Sequence, residues 1–143
     1  MGDRILLVDD DQSVVRALLR HIRRDYDVHV AYDGKMALEV MEQHCFAVVL
    51  SDLRMPGMSG AEFIEQAQRK WPDTQYLVLT GNQESDEDPP TDAQFSGVRE
   101  ILRKPCTMQV LRTAIEAACA AYTESASQQV LAGDVQPTTE YEC

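Results

Sequence analysis

Apolar and polar positions fall in blocks along the chain, with short apolar runs separated by longer segments of helical periodicity. The first short run, residues 4–8, stops abruptly at three consecutive aspartates. An apolar run without alternation is typical of a strand buried on both faces of a parallel sheet. The pattern predicts strands at residues 4–8, 27–31, 46–50, 75–79 and 98–102.

The segments between these strands carry apolar residues at helical spacing. In the first of them, Val14, Leu18 and Ile22 fall on one side, and arginines occupy the other. Ser59 and Thr107 stand where helix N-caps are expected, because their hydroxyls can accept hydrogen bonds from backbone N–H groups of the first turn. Helices are predicted at residues 12–24, 34–43, 60–70 and 108–122.

This order of elements predicts one fold class. Strands that alternate with helices indicate βαβ units, right-handed crossovers and a parallel sheet. We therefore expect an α/β fold, a doubly wound five-stranded parallel sheet of order 2-1-3-4-5 in a flavodoxin-like three-layer sandwich. The helix between the fourth and fifth strands is expected to be atypical. Residues 83–96 are acidic, contain Pro89 and Pro90, and carry no Lys or Arg, all of which oppose a helix there.

Composition narrows the possible partners. The 143 residues suffice for one domain, predicted over residues 1–122, with residues 123–143 as a flexible C-terminal tail or linker. Acidic residues outnumber basic ones by 24 to 13, and a net charge of −11 argues against direct binding to nucleic acid or to a membrane surface. No apolar run approaches the ~18 residues of a membrane helix, and the N-terminus has no signal-peptide pattern. The four cysteines lack C-x-x-C spacing, so free thiols and a cytoplasmic location are expected.

Polar side chains follow the predicted strands at the points where they end. Asp9 and Asp10 follow the first strand, Asp52 the third, Thr80 the fourth and Lys104 the fifth. In a doubly wound sheet, ligands bind beyond the carboxyl ends of the strands. The order 2-1-3-4-5 makes strands one, three and four neighbours, so these five residues are expected to meet at one site.

The acidic members of this set predict a metal site. Neighbouring strands lie ~4.8 Å apart, so the carboxylates of Asp10 and Asp52 should repel each other unless a cation lies between them. Mg²⁺ fits, because it prefers hard oxygen ligands and keeps several waters. Asp10 and Asp52 are expected to bind it directly, the backbone carbonyl of Arg54 to be a third ligand, and Asp9 to act through a water.

The same set can support phosphoryl transfer. Asp52 can attack phosphorus and form an acyl phosphate, a known form of covalent catalysis. Lys104 can place its ammonium on the phosphoryl oxygens, and Thr80 can donate a hydroxyl hydrogen bond to them.

The motifs resemble those of the receiver domains of two-component response regulators. The run Asp-x-x-Met-Pro-x-Met-x-Gly, residues 52–60, is the most specific of them. The resemblance also rests on residues 5–11, on 79–81 and on Lys104-Pro105, and covers about residues 4–122. It implies a regulatory phosphoacceptor domain, not a conventional enzyme, that catalyses only its own phosphorylation and dephosphorylation.

The resemblance also implies roles and partners. Asp52 would be the phosphoacceptor, Asp9 and Asp10 the acidic pocket, Thr80 the switch hydroxyl and Lys104 the phosphate-sensing lysine. The phosphoryl donor would be a phosphohistidine on a sensor histidine kinase or a phosphotransfer protein, and a homodimer is one possible assembly.

Three departures from the family leave alternatives open. Ile101 stands where the family has an aromatic switch residue, Arg54 lies at the pocket mouth, and residues 83–96 replace much of a helix. One alternative is a pseudo-receiver, an interaction module that keeps the fold but is not phosphorylated. The other is a Mg²⁺-dependent phosphatase of the haloacid-dehalogenase type. Such a phosphatase needs an aspartate as general acid two residues after its nucleophile, where this chain has Arg54.

Overall fold

A computed structural model describes residues 3–53, 55, 57–80, 98–103 and 107–132, with side chains up to residue 124. Strands and helices alternate as predicted, except that residues 83–96, and with them the expected atypical helix, lie outside the described residues. In chain order the elements are β1 (Arg4–Val8), α1 (Gln12–Ile22), β2 (Asp27–Ala31), α2 (Gly34–Gln43), β3 (Val48–Asp52), α3 (Gly60–Lys70), β4 (Gln75–Thr80), β5 (Val98–Arg103) and α4 (Met108–Ala132).

The five strands form one parallel sheet in the order β2-β1-β3-β4-β5, which confirms the predicted topology. Its register decides which strand ends meet. Val8, the last residue of β1, is paired with Ser51 of β3, and Asp52 is paired with Leu79 of β4. The residues that follow β1 therefore lie beside the end of β3, and Thr80 lies one position beyond the partner of Asp52.

Two apolar layers hold the sheet between its helices. Ile5 and Leu7 of β1 belong to one buried cluster, which includes Ile22 of α1 and Ile115 of α4. The alternate residues of the same strand belong to a second cluster, with Phe63 of α3 and Met41 of α2. Successive strand residues point to opposite faces, so a strand that is apolar throughout supplies both layers. The predicted three-layer sandwich is confirmed.

The third strand is shifted from its predicted position. Residues 46–50 were expected, whereas β3 runs from Val48 to Asp52. Phe46 is buried but lies outside the strand. A buried apolar residue therefore does not mark the start of the strand here. The polar Ser51 is fully buried within the strand, and its hydroxyl donates a hydrogen bond of 2.8 Å to the carbonyl of Asp52. The hydroxyl thus has a partner inside the sheet, which removes the cost of burying it.

Two helix ends also differ from prediction. Helix α1 ends at Ile22 rather than at residue 24, with Arg23 as its C-cap. Helix α4 continues to Ala132 instead of ending near residue 122. Residues 123–132 contain no Gly or Pro and are rich in Ala and Gln, so nothing in their sequence stops the helix. The domain limit at residue 122 and a flexible tail beyond it stay predictions.

The cysteines agree only in part with the expectation of free thiols. Cys119 is free and buried, and burial is the main reason that its pKa rises to about 12. Cys45 is disulfide-bonded, which contradicts the prediction for this residue. Disulfide formation depends on the approach of two Cβ atoms in space, which sequence spacing does not report. No helix among the described residues is long and apolar enough to cross a membrane.

Two histidines pack together near the start of β3. The rings of His29 and His44 lie 4.7 Å apart between centroids, and both contact Phe46 edge-on. Partial burial, and then the positive charges of His29 and Arg4, lower the pKa of His44 below its ordinary 6.5. The folded protein therefore takes up a proton at His44 less readily than the unfolded chain does.

We predict that this histidine makes folding sensitive to mild acid. A group with a lowered folded-state pKa contributes stability above its unfolded pKa of 6.5 and loses it as the pH falls toward the folded value. The free energy of unfolding, measured by urea titration, should fall less between pH 7 and pH 5 in His44→Gln than in the wild type. His21→Gln, which removes an exposed histidine of α1, is the control. Equal pH dependence in all three proteins would contradict the assignment.

Candidate functional site

Three carboxylates meet at the carboxyl edge of the sheet, as the sequence predicts. Oxygen atoms of Asp9, Asp10 and Asp52 all lie within 4.8 Å of one another. Asp9 is buried, with 5% of its surface exposed, whereas Asp52 is partly buried and Asp10 is exposed. The pocket is thus open on the side of Asp10 and closed on the side of Asp9.

The turn after β1 holds these residues in different ways. The backbone N–H of Asp9 donates to the carbonyl of Ala31 at 3.1 Å, and a carboxylate oxygen of Asp9 accepts from the N–H of Asp11 at 2.9 Å. Asp11 is the N-cap of α1 and accepts from the N–H of Ser13 at 2.9 Å. This capping role of Asp11 was not predicted, although an aspartate directly before a helical pattern is a known capping signal.

The loop that follows β3 makes a tight turn next to Asp52. The N–H of Gly60 donates to the carbonyl of Leu53 at 2.8 Å. A Cβ on Gly60 would lie only 2.1 Å from the carbonyl oxygen of Asp52, so the close approach requires glycine here. Ser59 caps α3 as predicted, in a reciprocal capping box with Glu62. Asp52 therefore lies between its own strand, which pairs it with Leu79, and a loop that Gly60 closes through its hydrogen bond to Leu53.

The remaining predicted site residues divide into one that is described and two that are not. Thr80 ends β4, is 7% exposed and pairs in register with Arg103, the last residue of β5. Lys104 and Arg54 lie outside the described residues, so their roles stay predictions. Ile101 is described, and it packs against the apolar cluster that lies with α2 and α3.

The floor of the pocket is apolar. Below Asp9 and Asp52 lies a cavity of about 10 Å³, which is room for about one water molecule. Besides the two aspartates, it is lined by Leu7, Val8, Val15, Leu18, Leu50 and Leu79. An apolar floor lowers the local dielectric constant and so strengthens interactions among the charges above it.

Repulsion among the carboxylates favours a bound cation. At an effective dielectric constant of about 20, two unit charges as far apart as 4.8 Å already repel each other by about 3 kcal/mol. Because Val8 is paired with Ser51, Asp9 and Asp52 leave adjacent strands at neighbouring positions, which brings their carboxylates together. Carboxylate oxygens are hard ligands, and a partly open acidic pocket suits Mg²⁺, which keeps part of its water shell.

Comparison with known proteins identifies the family. The family model of the response regulator receiver domain matches residues 5–116. The chain belongs to this family. Receiver domains are regulatory modules of two-component signalling, and this one contains both the family's sheet and its acidic pocket.

Individual relatives agree with this assignment. The hydrogenase transcriptional regulatory protein HoxA of Bradyrhizobium diazoefficiens is 28% identical over 135 residues, which are 94% of this chain and 28% of that protein. A structure titled adenylate cyclase from Rhodopirellula baltica is 35% identical with a TM-score of 0.83, covering 94% of this chain and all of the other. The chemotaxis protein CheY4 of Vibrio cholerae is 25% identical with a TM-score of 0.74, covering 82% of this chain and 99% of CheY4. The chain thus spans about a quarter of the length of HoxA.

Two glycines of the β3–α3 loop provide a test of how the pocket is held. Gly60→Ala should lower the free energy of unfolding by about 2–3 kcal/mol, because the new methyl group must push back the Asp52 carbonyl. Gly57→Ala should cost only about 1 kcal/mol, since Gly57 has a φ of 78° but nothing within 4 Å of a Cβ. Urea unfolding measures both. A larger loss for Gly57→Ala would show that space around Asp52 is not the limiting factor.

Proposed function

We propose that this receiver domain accepts a phosphoryl group on Asp52 from a phosphohistidine of a sensor histidine kinase or a phosphotransfer protein. It then signals by a change in its surface. The observation that carries the proposal is the meeting of the Asp9, Asp10 and Asp52 carboxylates within 4.8 Å at one edge of the sheet. Membership of the receiver family supports it.

The residues of the pocket suit Mg²⁺ as the cofactor. Asp10 and Asp52 would hold the ion directly, the backbone carbonyl of Arg54 would be a further ligand, and Asp9 would act through a water. When bound, the ion supplies positive charge that offsets the carboxylates and the incoming phosphoryl oxygens. The three carboxylates that meet there are anionic oxygen donors, which matches that role.

The chemical step belongs to Asp52. One carboxylate oxygen forms a bond to phosphorus while the bond from phosphorus to the donor imidazole nitrogen breaks, and the imidazole leaves with the electron pair. Asp52 lies at the end of a strand and is partly exposed, so a donor can approach it from solvent. Thr80 would donate its hydroxyl hydrogen to the phosphoryl group, and Lys104 would contribute its ammonium.

The two alternatives are less well supported. A phosphatase of the haloacid-dehalogenase type lacks its general acid here, because the residue two after Asp52 is Arg54. A pseudo-receiver remains the second candidate, favoured by Ile101 in place of the aromatic switch residue. The complete set of acidic residues, threonine and lysine favours phosphorylation. A homodimer and a cytoplasmic location are also proposed, the latter without the support of free thiols, because Cys45 is disulfide-bonded.

Phosphorylation can be tested with a small-molecule donor. Wild-type protein incubated with acetyl phosphate and Mg²⁺ should gain one phosphoryl group by intact mass, and Asp52→Asn should gain none while keeping its melting temperature. Asp33→Asn is the matched control, because Asp33 follows β2 at the same edge of the sheet and caps α2, a role that asparagine can also fill. Full labelling of Asp52→Asn, or none of the wild type, contradicts the proposal.

Metal binding can be tested by thermal unfolding. Millimolar Mg²⁺ should raise the melting temperature of the wild type, because a ligand that binds only the folded state stabilises it by mass action. Asp10→Ala should abolish this gain and should melt higher than the wild type without Mg²⁺, since one repelling carboxylate is gone. NaCl at equal ionic strength controls for screening. An equal gain from NaCl would argue against a specific site.

A further inference from the structure

A methionine of the β3–α3 loop packs against the first residue of α2. A Cβ on Gly34, which begins α2 and is buried, would lie 2.8 Å from Sδ of Met58 and 3.1 Å from both its Cβ and its Cγ. The Nε2 atom of Gln66 in α3 lies 4.0 Å from the same sulfur. The Met58 side chain therefore fills the space between α2 and α3, where Gly34 leaves room for it.

The contact restrains the backbone of the loop as well as the side chain. A new rotamer could move Sδ and Cγ of Met58 away from Gly34, but Cβ is bonded to the loop backbone and moves only with it. A Cβ at position 34 would lie 3.1 Å from the Met58 Cβ, so the loop can approach α2 this closely only because residue 34 is glycine. Met58 is also partly buried against the apolar cluster that contains Met55 and Phe63.

The restrained loop connects β3 to α3 and begins at a carboxylate of the pocket. It begins at Asp52 and ends at Gly60, whose N–H is bonded to the carbonyl of Leu53. Met55 is anchored in the core, with 9% of its surface exposed, and Met58 is anchored on Gly34. These contacts restrain the part of the loop between Asp52 and Gly60 that the structure describes. Mg²⁺ requires nearly ideal octahedral geometry at 2.0–2.1 Å, so a shift of a few tenths of an ångström in a ligand weakens binding.

We propose that Met58 is a positioning residue: its contact with Gly34 sets the position of the β3–α3 loop, and through it Mg²⁺ affinity and phosphoryl transfer at Asp52. The inference rests on the proposed function for its last step. Its first step, the restraint on the loop, holds with or without metal. Met58 itself touches neither the donor nor the metal in this scheme.

Two single variants and their combination test the contact. Gly34→Ala inserts a methyl group against Met58, and Met58→Ala removes the side chain that anchors the loop. The double variant Gly34→Ala/Met58→Ala removes the collision with Sδ and Cγ and partly refills the space, and it leaves only the tight 3.1 Å approach of the two Cβ atoms. Met58→Leu keeps a large apolar side chain and should behave like the wild type. Met36→Ala is the matched control, because Met36 lies in the same first turn of α2 but is 36% exposed.

Two measurements separate positioning from general stability, both made well below the melting temperatures. The first is the Mg²⁺ dissociation constant by calorimetry. Each single variant should raise it at least about threefold, while the double variant should raise it by less than the product of the two single effects. The second is amide hydrogen exchange of Gly60 in Mg²⁺-free protein, which should become several-fold faster in both single variants. Met36→Ala and Met58→Leu should match the wild type in both.

Either measurement can overturn the inference. If the single variants melt lower but keep wild-type Mg²⁺ affinity and Gly60 exchange, the contact only stabilises the fold and the inference is wrong. Effects of the two substitutions that multiply independently would also refute it, because the two residues would then not act on each other. If the wild type binds no Mg²⁺, the proposed function fails, and the Mg²⁺-dependent step fails with it. Gly60 exchange then still decides whether Met58 restrains the loop.

Discussion

The parallel pairing of β1 with β3 is the constraint on which the site depends. It places Val8 opposite Ser51, so that the residues just beyond Val8 meet Asp52. Strand pairing fixes the backbone that carries Asp52, and carboxylate oxygens of the three aspartates lie within 4.8 Å of one another. Ionised carboxylates this close repel each other, and a divalent cation between them would reduce that repulsion.

The loops around the acidic pocket are shaped by the same constraint. The pairing of β3 holds Asp52 in place, and the chain turns closely around the Asp52 carbonyl. Gly60 permits this close turn because it has no Cβ. The left-handed backbone of Gly57 and the packing of Met58 on Gly34 complete the turn. The types of residue that surround Asp52 are thus determined by its position at the end of a buried strand. Only a few of these residues carry charge.

Local signals in the sequence were sufficient where a cap or a buried run marks an element. Ser59 was predicted to cap α3 and does so, and the predicted ranges of α2 and α3 were correct. The limits of β3 were not predictable from hydrophobicity, because Phe46 is buried outside the strand while polar Ser51 and Asp52 continue it. The meeting of the aspartates was predictable from strand order. The contact of Met58 with Gly34 was not, since it depends on how α2 and α3 pack.

Ile101 changes how a signal could leave the pocket. In the sheet it pairs with Val78 of β4, and its side chain is packed in the apolar cluster with α2 and α3. An aliphatic side chain in this position has no polar tip to reach solvent, and withdrawing it from the cluster would expose apolar surface at a cost of about 25 cal/mol for each Å². Rotation of a ring between buried and exposed positions is therefore not a route open to this chain.

Thr80 is paired with Arg103 through the backbone of β4 and β5, so a displacement of Thr80 toward a phosphoryl group would act first on the end of β5. A signal that begins at Asp52 would then pass through strand pairing rather than through the side chain at position 101.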